Sequence, residues 1–408
     1  MKYNSVMKNK EFIIYFIGVF LSNLGNAFTV FVFPLMILKI TNSPVHLGIS
    51  SALVFLPYAL LGLPAGVLID KLNKKKIMQY ADFIRLITYI SIPVFDYIGD
   101  LSIYHIYIVS LVSGTALVFH SISEISIIPK IVEKNQLTEA NSYIYASQNI
   151  AEFIGPIIGG VLYSLTGYSV LIAIDSFTFV ISIISLSLIT IEYVKPSNIK
   201  LISFSMILKD IKIGISYIFK DTLIKNMAVI LIISNLIISP YYLYIVLFVK
   251  EILDKGSETL GIVFGIASLG ALLGSLAINY LRLRLSFKKM IILILFTDFV
   301  FRMLIPFSIN VYFLSLFLAF TYFTQAILNI AIITLRQEST PEHYLGRVNS
   351  VFKTAVFTSR PVGLFLGGIM LENYNSFWTL LLSSIVCFLI FIYSYISMAS
   401  EERHQSHN

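Results

Sequence analysis

Residues 46–76 read HLGISSALVFLPYALLGLPAGVLIDKLNKKK, a run of apolar and small residues that ends in one acid and four lysines. A helix needs roughly 20 mostly apolar residues to cross a bilayer. The part up to Ile69 has that length, and the charges that follow it mark a return to water. The stretch therefore predicts a membrane-spanning helix followed by a short basic loop.

The whole chain has the same character. Of its 408 residues, 57% are hydrophobic and 12% are charged, whereas a soluble domain carries about 25% charge. The composition predicts an all-α membrane protein with about twelve transmembrane helices, in the cell membrane. The twelve segments lie near residues 12–38, 46–69, 77–98, 101–128, 138–165, 168–191, 223–249, 259–281, 289–309, 311–335, 346–371 and 376–399.

Lysine and arginine give the orientation. If the N-terminus is cytoplasmic, 22 of the 29 fall in cytoplasmic regions and 3 in external loops. This positive-inside bias predicts that both termini are cytoplasmic. The net charge of +7 then marks a membrane face and not a nucleic-acid surface. A cleaved signal peptide is the alternative for the first segment, but its apolar run is long and no small-residue cleavage site follows.

A long polar interval divides the spans into two groups of six. We expect an N-terminal half (1–191), a cytoplasmic linker (192–222) and a C-terminal half (223–408). Apolar residues recur beside lysines in the linker, which indicates an amphipathic helix on the inner leaflet; a flexible linker is the alternative. GPIIGG (155–160) has a counterpart in RPVGLFLGG (360–368), which indicates an internal duplication. Such repeats are typical of transporters.

The loop GVLIDKLNKKK (66–76) resembles the signature loop of the major facilitator superfamily, Gly-x-x-x-Asp-Arg-x-Gly followed by three basic residues. Lysine replaces the usual Arg, and Asn73 replaces the usual Gly. The glycine is expected to allow a close helix approach, and the acid is expected to cap a neighbouring helix. The lysines are expected to hold an inner gate closed. A plain positive-inside anchor is the alternative. The matching residues are Gly66, Asp70, Lys71, Lys74, Lys75 and Lys76.

A second stretch resembles that superfamily's antiporter motif, Gly-x-x-x-Gly-Pro-x-x-Gly-Gly. Its residues are Ala151, Gly155, Pro156, Gly159 and Gly160, with alanine in place of the first glycine. Small residues at these positions let a membrane helix pack closely on its neighbours.

Longer stretches of the sequence indicate which branch of the superfamily the chain resembles. FLPYALLGLPAGVLIDKLNKKKIM (55–78) and PEHYLGRVNSV (341–351) resemble the macrolide-efflux and enterobactin-exporter branch. The resemblance implies two pseudo-symmetric six-helix halves, no cofactor, and a proton gradient that drives export. The chain departs from the family at Ser113, where many relatives carry an arginine associated with proton coupling. The coupling route is therefore left open.

Charged side chains within the spans are the strongest site candidates, because they are costly in a membrane. At 1.5 Å per residue, Glu152 lies about 20 Å beyond Glu139, near the midplane, and Arg360 lies at a similar depth. Glu124 and Lys353 are shallower. Since burial favours a protonated carboxyl, we expect Glu152 or Glu124 to exchange protons or bind a cation. Permanent Glu152–Arg360 and Glu124–Lys353 ion pairs are the alternative.

Other polar residues receive roles from the family resemblance, which makes spans three, six, nine and twelve the outer scaffold. The expected scaffold charges are Asp82, Arg85, Asp175, Asp298 and Arg302. Among them, the acid and the arginine within span three can pair locally, and so can those within span nine. The expected cavity residues are Asn26, Tyr241, Tyr322, Gln325 and Asn329.

Several function classes are disfavoured. The single cysteine, Cys387, excludes an intrachain disulfide, and the 6 histidines lack metal-ligand spacing. The sequence contains no GxSxG, HExxH or Walker loop, which argues against an enzyme such as a membrane-bound transferase and against an ATP-driven pump. The leading prediction is a proton-coupled antiporter that exports an amphipathic small molecule, drug-like or siderophore-like, for which a monomer suffices. A lipid or lysolipid transporter and a dedicated exporter of one metabolite are the alternatives.

Overall fold

The structure is a computed structural model that describes residues 5–133, 136–191 and 204–405. Its long elements in these ranges are all helices, which confirms the predicted class. In chain order they are α1 (Lys10–Thr41), α2 (Pro44–Lys71), α3 (Lys74–Ile98), α4 (Ile103–Ile131), α5 (Leu137–Thr166), α6 (Tyr168–Leu188), α7 (Phe204–Lys220), α8 (Thr222–Ile238), α9 (Tyr241–Glu251), α10 (Ser257–Arg282), α11 (Phe287–Leu304), α12 (Val311–Ser339), α13 (Glu342–Asn373) and α14 (Ser376–Gln405).

In the described part of the chain, eleven helical segments are long and apolar enough to cross a membrane. Helix α3, which contains the predicted third span, is not among them. It carries Asp82, Arg85 and Asp96 in addition to its N-terminal lysines, and these charges lower its mean hydropathy. The helix is present where it was predicted, so the difference lies in its composition.

The predicted seventh span is a broken helix. Helix α8 ends at Ile238 and α9 begins at Tyr241, with Ser239 and Pro240 between them. Proline has no N–H group to continue the helical hydrogen-bond pattern. The backbone N–H of Tyr244 resumes it by donating to the Pro240 carbonyl at 3.2 Å.

Side-chain caps explain where several helices begin. The side chain of Asn73 accepts from the Lys76 N–H at 3.3 Å before α3, and that of Asp221 accepts from Ile224 at 3.0 Å before α8. Asn310 caps α12 in the same way, from Phe313 at 3.0 Å. Each such cap stabilises its helix by about 1 kcal/mol.

The helices form two compact units. Unit 1 comprises Met1–Leu201 and Gly256–Gly265, and unit 2 comprises Ile202–Lys255 and Ile266–Asn408. In unit 1, α1 packs on α5 and α6, α4 packs on α2 and α3, and α3 also packs on α6. In unit 2, α11 packs on α12 and α14, while α13 packs on α7 and α8. Each unit thus encloses its own apolar core.

The predicted linker lies partly outside the described residues, because the description resumes at residue 204. Helix α7 has one face on its neighbours: Gly214 packs against the Arg347 carbonyl, and the Tyr217 ring stacks on Tyr344 at 4.7 Å. Ile215 and Phe219 on its other face are exposed. The predicted position on the inner leaflet stays a prediction.

Candidate functional site

Unit 1 contains a polar cavity of about 90 Å³ enclosed by α1, α3, α4 and α6. A polar cavity of this size has room for a few water molecules. Its lining residues with ionisable or amide side chains are Tyr15, Asn23, Asn26, Arg85, His120 and Glu124. Helices α3 and α6, which the family resemblance assigns to the outer scaffold, therefore meet α1 and α4 at this cavity.

Asp82 on α3 joins three helices at this site. Its side chain is fully buried. One carboxylate oxygen, Oδ2, accepts a hydrogen bond of 2.7 Å from the Ser182 hydroxyl on α6. The other, Oδ1, lies 3.3 Å from Nε2 of His120 on α4. The carboxylate thus contacts two other helices, although local pairing with Arg85 was the expectation.

Helix α4 contributes two titratable groups to one face. His120 and Glu124 are four residues apart, a spacing that puts both side chains on the same side of a helix. Both line the cavity. The His120 side chain is only 13% exposed, so a proton bound to it would place a positive charge largely out of water.

Arg85 supplies a fixed positive charge beside these groups. Its guanidinium donates to Oδ1 of Asn26 on α1 at 3.2 Å and lies 4.2 Å from the centre of the Phe179 ring on α6. The residue is 4% exposed. These contacts hold the guanidinium in place without neutralising it, since an amide and an aromatic ring carry no net charge.

Five buried polar atoms of unit 1 lack a hydrogen-bond partner among the described residues: the Tyr15, Ser110 and Ser123 hydroxyls, Asp82 Oδ1 and Arg85 Nε. Tyr15, Asp82 and Arg85 lie in or beside the polar cavity. An unsatisfied buried polar group costs about 1–3 kcal/mol. The cavity is therefore a place where a proton or water molecule would complete several hydrogen bonds.

Asp175 on α6 lies in a more closed setting. It is fully buried and accepts a hydrogen bond of 2.5 Å from the Thr29 hydroxyl on α1. Helix α1 can approach this carboxylate because residue 25 is glycine: a Cβ there would lie 2.6 Å from Asp175 Oδ1. These contacts suit the scaffold role predicted for Asp175.

Unit 2 contains a buried ion pair of different geometry. Asp298 and Arg302, four residues apart on α11, form a salt bridge of 2.7 Å, so the expected local pair is present. The Thr324 hydroxyl on α12 donates to the same carboxylate at 2.8 Å. The Arg302 guanidinium lies 4.4 Å from the ring centre of Tyr241, which is 4% exposed.

The Glu152 side chain on α5 is exposed in this chain. Gln148, one turn earlier, donates to its carboxylate at 3.0 Å. Ala151, Gly155 and Gly159 on the same helix are buried. Because Gly155 follows Glu152 by three residues, the exposed carboxylate borders the close-packed glycines of the motif.

The remaining candidates lie in unit 2 and differ in exposure. Arg360 on α13 is half-buried and Lys353 is exposed. On α12, Tyr322 and Gln325 are half-buried and Asn329 is exposed. Pairing of these cations with the carboxylates of unit 1 stays a prediction.

The signature loop is described in part, since the side chains of Asp70 and Lys71 lie outside the described set. A Cβ at Gly66 would meet nothing within 4 Å among the described atoms, so the expected close approach is not made there. Lys75 instead donates to the carbonyls of Ser187 at 3.2 Å and Ile189 at 2.8 Å. A cation there is favourable, because the C-terminal end of α6 is electronegative.

Replacing Lys75 by alanine should lower the stability of the protein by up to about 1 kcal/mol, because the last carbonyls of α6 lose a charged donor. Thermal unfolding of the detergent-purified protein measures this. Lys76→Ala is the matched control, since that side chain is exposed, and it should unfold like the parent. Equal loss in both variants would contradict a specific cap.

The glycines of the antiporter motif do make close contacts. A Cβ on Gly155 would collide with the Ala27 side chain on α1, and one on Gly159 would lie 3.2 Å from the Phe31 ring. A Cβ on Gly160 would lie 2.6 Å from the Ser257 carbonyl, in the part of α10 that belongs to unit 1. The motif therefore acts here as a packing surface.

An apolar groove of about 480 Å³ lies in unit 2 between α7, α8 and α13. Small-molecule pockets are typically about 300–1,000 Å³. Its walls include Ile232, Leu236, Val351 and Ala355, with the hydroxyl groups of Thr354, Thr358 and Ser359 on α13. The surface of the groove is almost wholly apolar, so it suits an apolar group.

Comparison with known proteins adds the biological context. Residues 4–407 match the family model described as "Transmembrane secretion effector". The chain is 25% identical over 362 residues to macrolide efflux protein A of Streptococcus pyogenes, covering 86% of this chain and 87% of that protein. It is 22% identical over 372 residues to the multidrug efflux pump Tap of Mycolicibacterium fortuitum, covering 90% of each.

Solved structures show the same fold. A bacterial homologue of the iron transporter ferroportin in the inward-facing state aligns with a TM-score of 0.72 at 18% identity, over 96% of this chain and 99% of that one. The nucleoside transporter NupG aligns with a TM-score of 0.73 at 13% identity, over 95% and 99%. These identities are low, so the likeness establishes the major facilitator fold alone.

Two residues at the polar cavity were missed by sequence reasoning, His120 and Tyr15. The usable signal for His120 was its four-residue spacing from Glu124, which places both on one face of α4. Tyr15 gave no such signal, since it lies among other aromatic and apolar residues of α1. Its hydroxyl becomes notable only where it is buried without a partner.

Proposed function

The chain belongs to the transmembrane secretion effector family of major facilitator efflux transporters, and from that premise we propose that it exports amphipathic small molecules across the cell membrane in exchange for protons, by alternating access. The observation that carries this proposal is the polar cavity of unit 1. His120 and Glu124 line it, and the fully buried Asp82 lies beside it, 3.3 Å from His120. Such groups in a membrane are functional by default.

Relatives support the cargo class. Proteins similar over most of the chain are named for macrolide efflux and multidrug efflux. The apolar groove of unit 2 suits the apolar part of such cargo. No cofactor is required for this activity.

A proton gradient supplies enough free energy. Moving one charge through 100 mV yields about 2.3 kcal/mol, and each 1.4 kcal/mol corresponds to a tenfold concentration ratio. One proton per uncharged cargo molecule can therefore sustain a concentration gradient of roughly 40-fold at 100 mV.

Accumulation of radiolabelled erythromycin and of ethidium in cells tests the proposal. Cells that make the protein should accumulate less of at least one compound than cells with an empty vector, and a protonophore should remove the difference. Equal accumulation of every compound in a macrolide and dye panel would contradict export of this cargo class. Export that survives the protonophore would contradict proton coupling.

The groove predicts a size-dependent defect. Ala355→Trp should fill part of the space between α8 and α13 and reduce export of erythromycin about tenfold or more, with less effect on the smaller ethidium. Leu366→Trp is the control on the same helix, because Leu366 is exposed and outside the groove. Equal export by both variants would contradict a cargo role for the groove.

A further inference from the structure

We propose that Asp82, His120 and Glu124 form a single proton-exchange site in unit 1, in which His120 carries the exchanged proton. This inference rests on the proposed proton-coupled export and names the site that performs it. Helix α3, which the family resemblance assigns to the scaffold, thereby contributes a coupling residue.

The contact between Asp82 and His120 is the first observation that supports this site. Asp82 Oδ1 faces Nε2 of His120 at 3.3 Å and has no hydrogen-bond partner among the described residues. The opposite oxygen is occupied by the Ser182 hydroxyl. A proton on Nε2 would put a positive charge 3.3 Å from this carboxylate oxygen, and that attraction favours one more proton than the neutral imidazole and carboxylate hold.

The charged groups around His120 are the second observation that supports this site. Asp82 and Arg85 face it from α3, and Glu124 faces it from its own helix. From α1, Tyr15 faces the two carboxylates, and α6 contributes the uncharged Ser182. With a neutral imidazole, two carboxylates and one guanidinium give the cluster a charge of −1, and one added proton makes it neutral.

A buried cluster prefers neutrality because net charge in a low-dielectric region is costly. Asp175 faces Arg85 from α6; when it is ionised and counted with the cluster, the added proton lowers the net charge from −2 to −1. Uptake of one proton is therefore favoured. Release returns it from Nε2 to water in the cavity and restores the charge of −1, which an organic cation near Glu124 would stabilise.

Glu152 has the weaker claim to this role. Its side chain on α5 is exposed and is hydrogen-bonded by Gln148. The cluster, in contrast, combines burial, an imidazole and two carboxylates in one cavity. Glu152→Gln is expected to leave the proton exchange in place.

Everted membrane vesicles test the site through two fluxes. Respiration acidifies the vesicle interior, and erythromycin added outside should release protons through the parent protein. His120→Gln and Glu124→Gln should lose this release at least tenfold but retain exchange of labelled for unlabelled erythromycin, which needs no net proton movement. His105→Gln is the matched control, because His105 is on α4 but contacts Ser91 at 2.9 Å outside the cavity.

A second measurement does not depend on cargo. Diethyl pyrocarbonate reacts with the neutral form of imidazole and not with the protonated form. Mass spectrometry of the modified histidines between pH 5 and 9 therefore reports the protonation of each histidine separately. The pH dependence at His120 should change in both Asp82→Asn and Glu124→Gln, while that at His105 should not. If Asp82→Asn does not fold, Glu124→Gln decides the matter.

The outcomes separate the two proposals. A parent that moves neither protons nor any compound of the macrolide and dye panel defeats the proposed function, while a changed pH dependence at His120 would still support the cluster. A parent that couples both fluxes, with His120→Gln unchanged in proton release, overturns the inference and leaves the function standing. An unchanged pH dependence at His120 in Glu124→Gln also overturns it.

Discussion

Asp298→Asn should destabilise the protein by about 3 kcal/mol or more, because it leaves the Arg302 guanidinium buried without its counter-ion. Arg302 is 2% exposed, and its 2.7 Å salt bridge with Asp298 is the charge-neutralising contact. The Thr324 hydroxyl can still donate to an amide oxygen, so the loss is one of charge and not of hydrogen bonding. Size-exclusion chromatography of the detergent-solubilised protein after heating measures the folded fraction.

The control for this prediction removes both charges. Asp298→Asn combined with Arg302→Met should recover most of the lost stability, since a neutral and apolar pair carries no uncompensated charge. It should also retain proton-coupled export, because the pair is assigned to the scaffold. Parent-like stability of the single variant would contradict that account, and a well-folded double variant that cannot export would show that the pair has a transport role.

Gly114→Val should prevent correct packing of unit 1. A Cβ on Gly114 would collide with the Val54 carbonyl and lie 3.0 Å from the Val54 Cα atom, so α4 rests directly on the α2 backbone. Backbone cannot rotate away as a side chain can, and the two helices would have to separate. The expected result is that little folded protein is recovered.

Gly66→Ala is the matched control for this change. A Cβ there has open space, and alanine in a helix is favoured over glycine by roughly 0.5–1 kcal/mol. The folded yield of Gly66→Ala should equal or exceed that of the parent. A low yield of Gly66→Ala, or a normal yield of Gly114→Val, would contradict the packing described for α2 and α4.

Much of the fold could be predicted from hydropathy, because each span is a local property of the sequence. The break at Pro240 and the low hydropathy of α3 were not predicted, since span length alone hides a missing N–H or a few charges. The Asp298–Arg302 pair was predictable because i,i+4 spacing fixes both partners on one helix. The packing of Gly155 and Gly159 was likewise expected from their spacing.

The site was less predictable for a physical reason. Spacing along a helix indicates which residues share a face, but it does not indicate which neighbouring helix that face meets. Asp82 was therefore expected to pair with Arg85, whereas its closest charged contact is His120 on α4. Arg85 contacts Asn26 and Phe179, which are even farther from it in the sequence than His120 is from Asp82.

Ser113 stands where many relatives carry an arginine, but the structure places a buried arginine from another helix near the cavity. The buried guanidinium of unit 1 comes from Arg85 on α3, next to the residues that we propose to exchange protons. Ser113 itself is buried and donates to the Ser110 carbonyl at 3.3 Å. A positive charge is thus available near the cavity from a different helix.

Purified protein in liposomes gives the most direct test of proton-coupled export. Vesicles with an acidic interior would be diluted into a neutral buffer that contains radiolabelled erythromycin, with internal pH followed by a trapped dye. Protein-free liposomes are the control, because a weak base such as erythromycin also enters an acidic interior passively. We expect the protein to increase both the uphill accumulation of erythromycin and the loss of internal acidity above this control, and nigericin to abolish both increases. Accumulation of erythromycin without any change in proton flux would contradict the account.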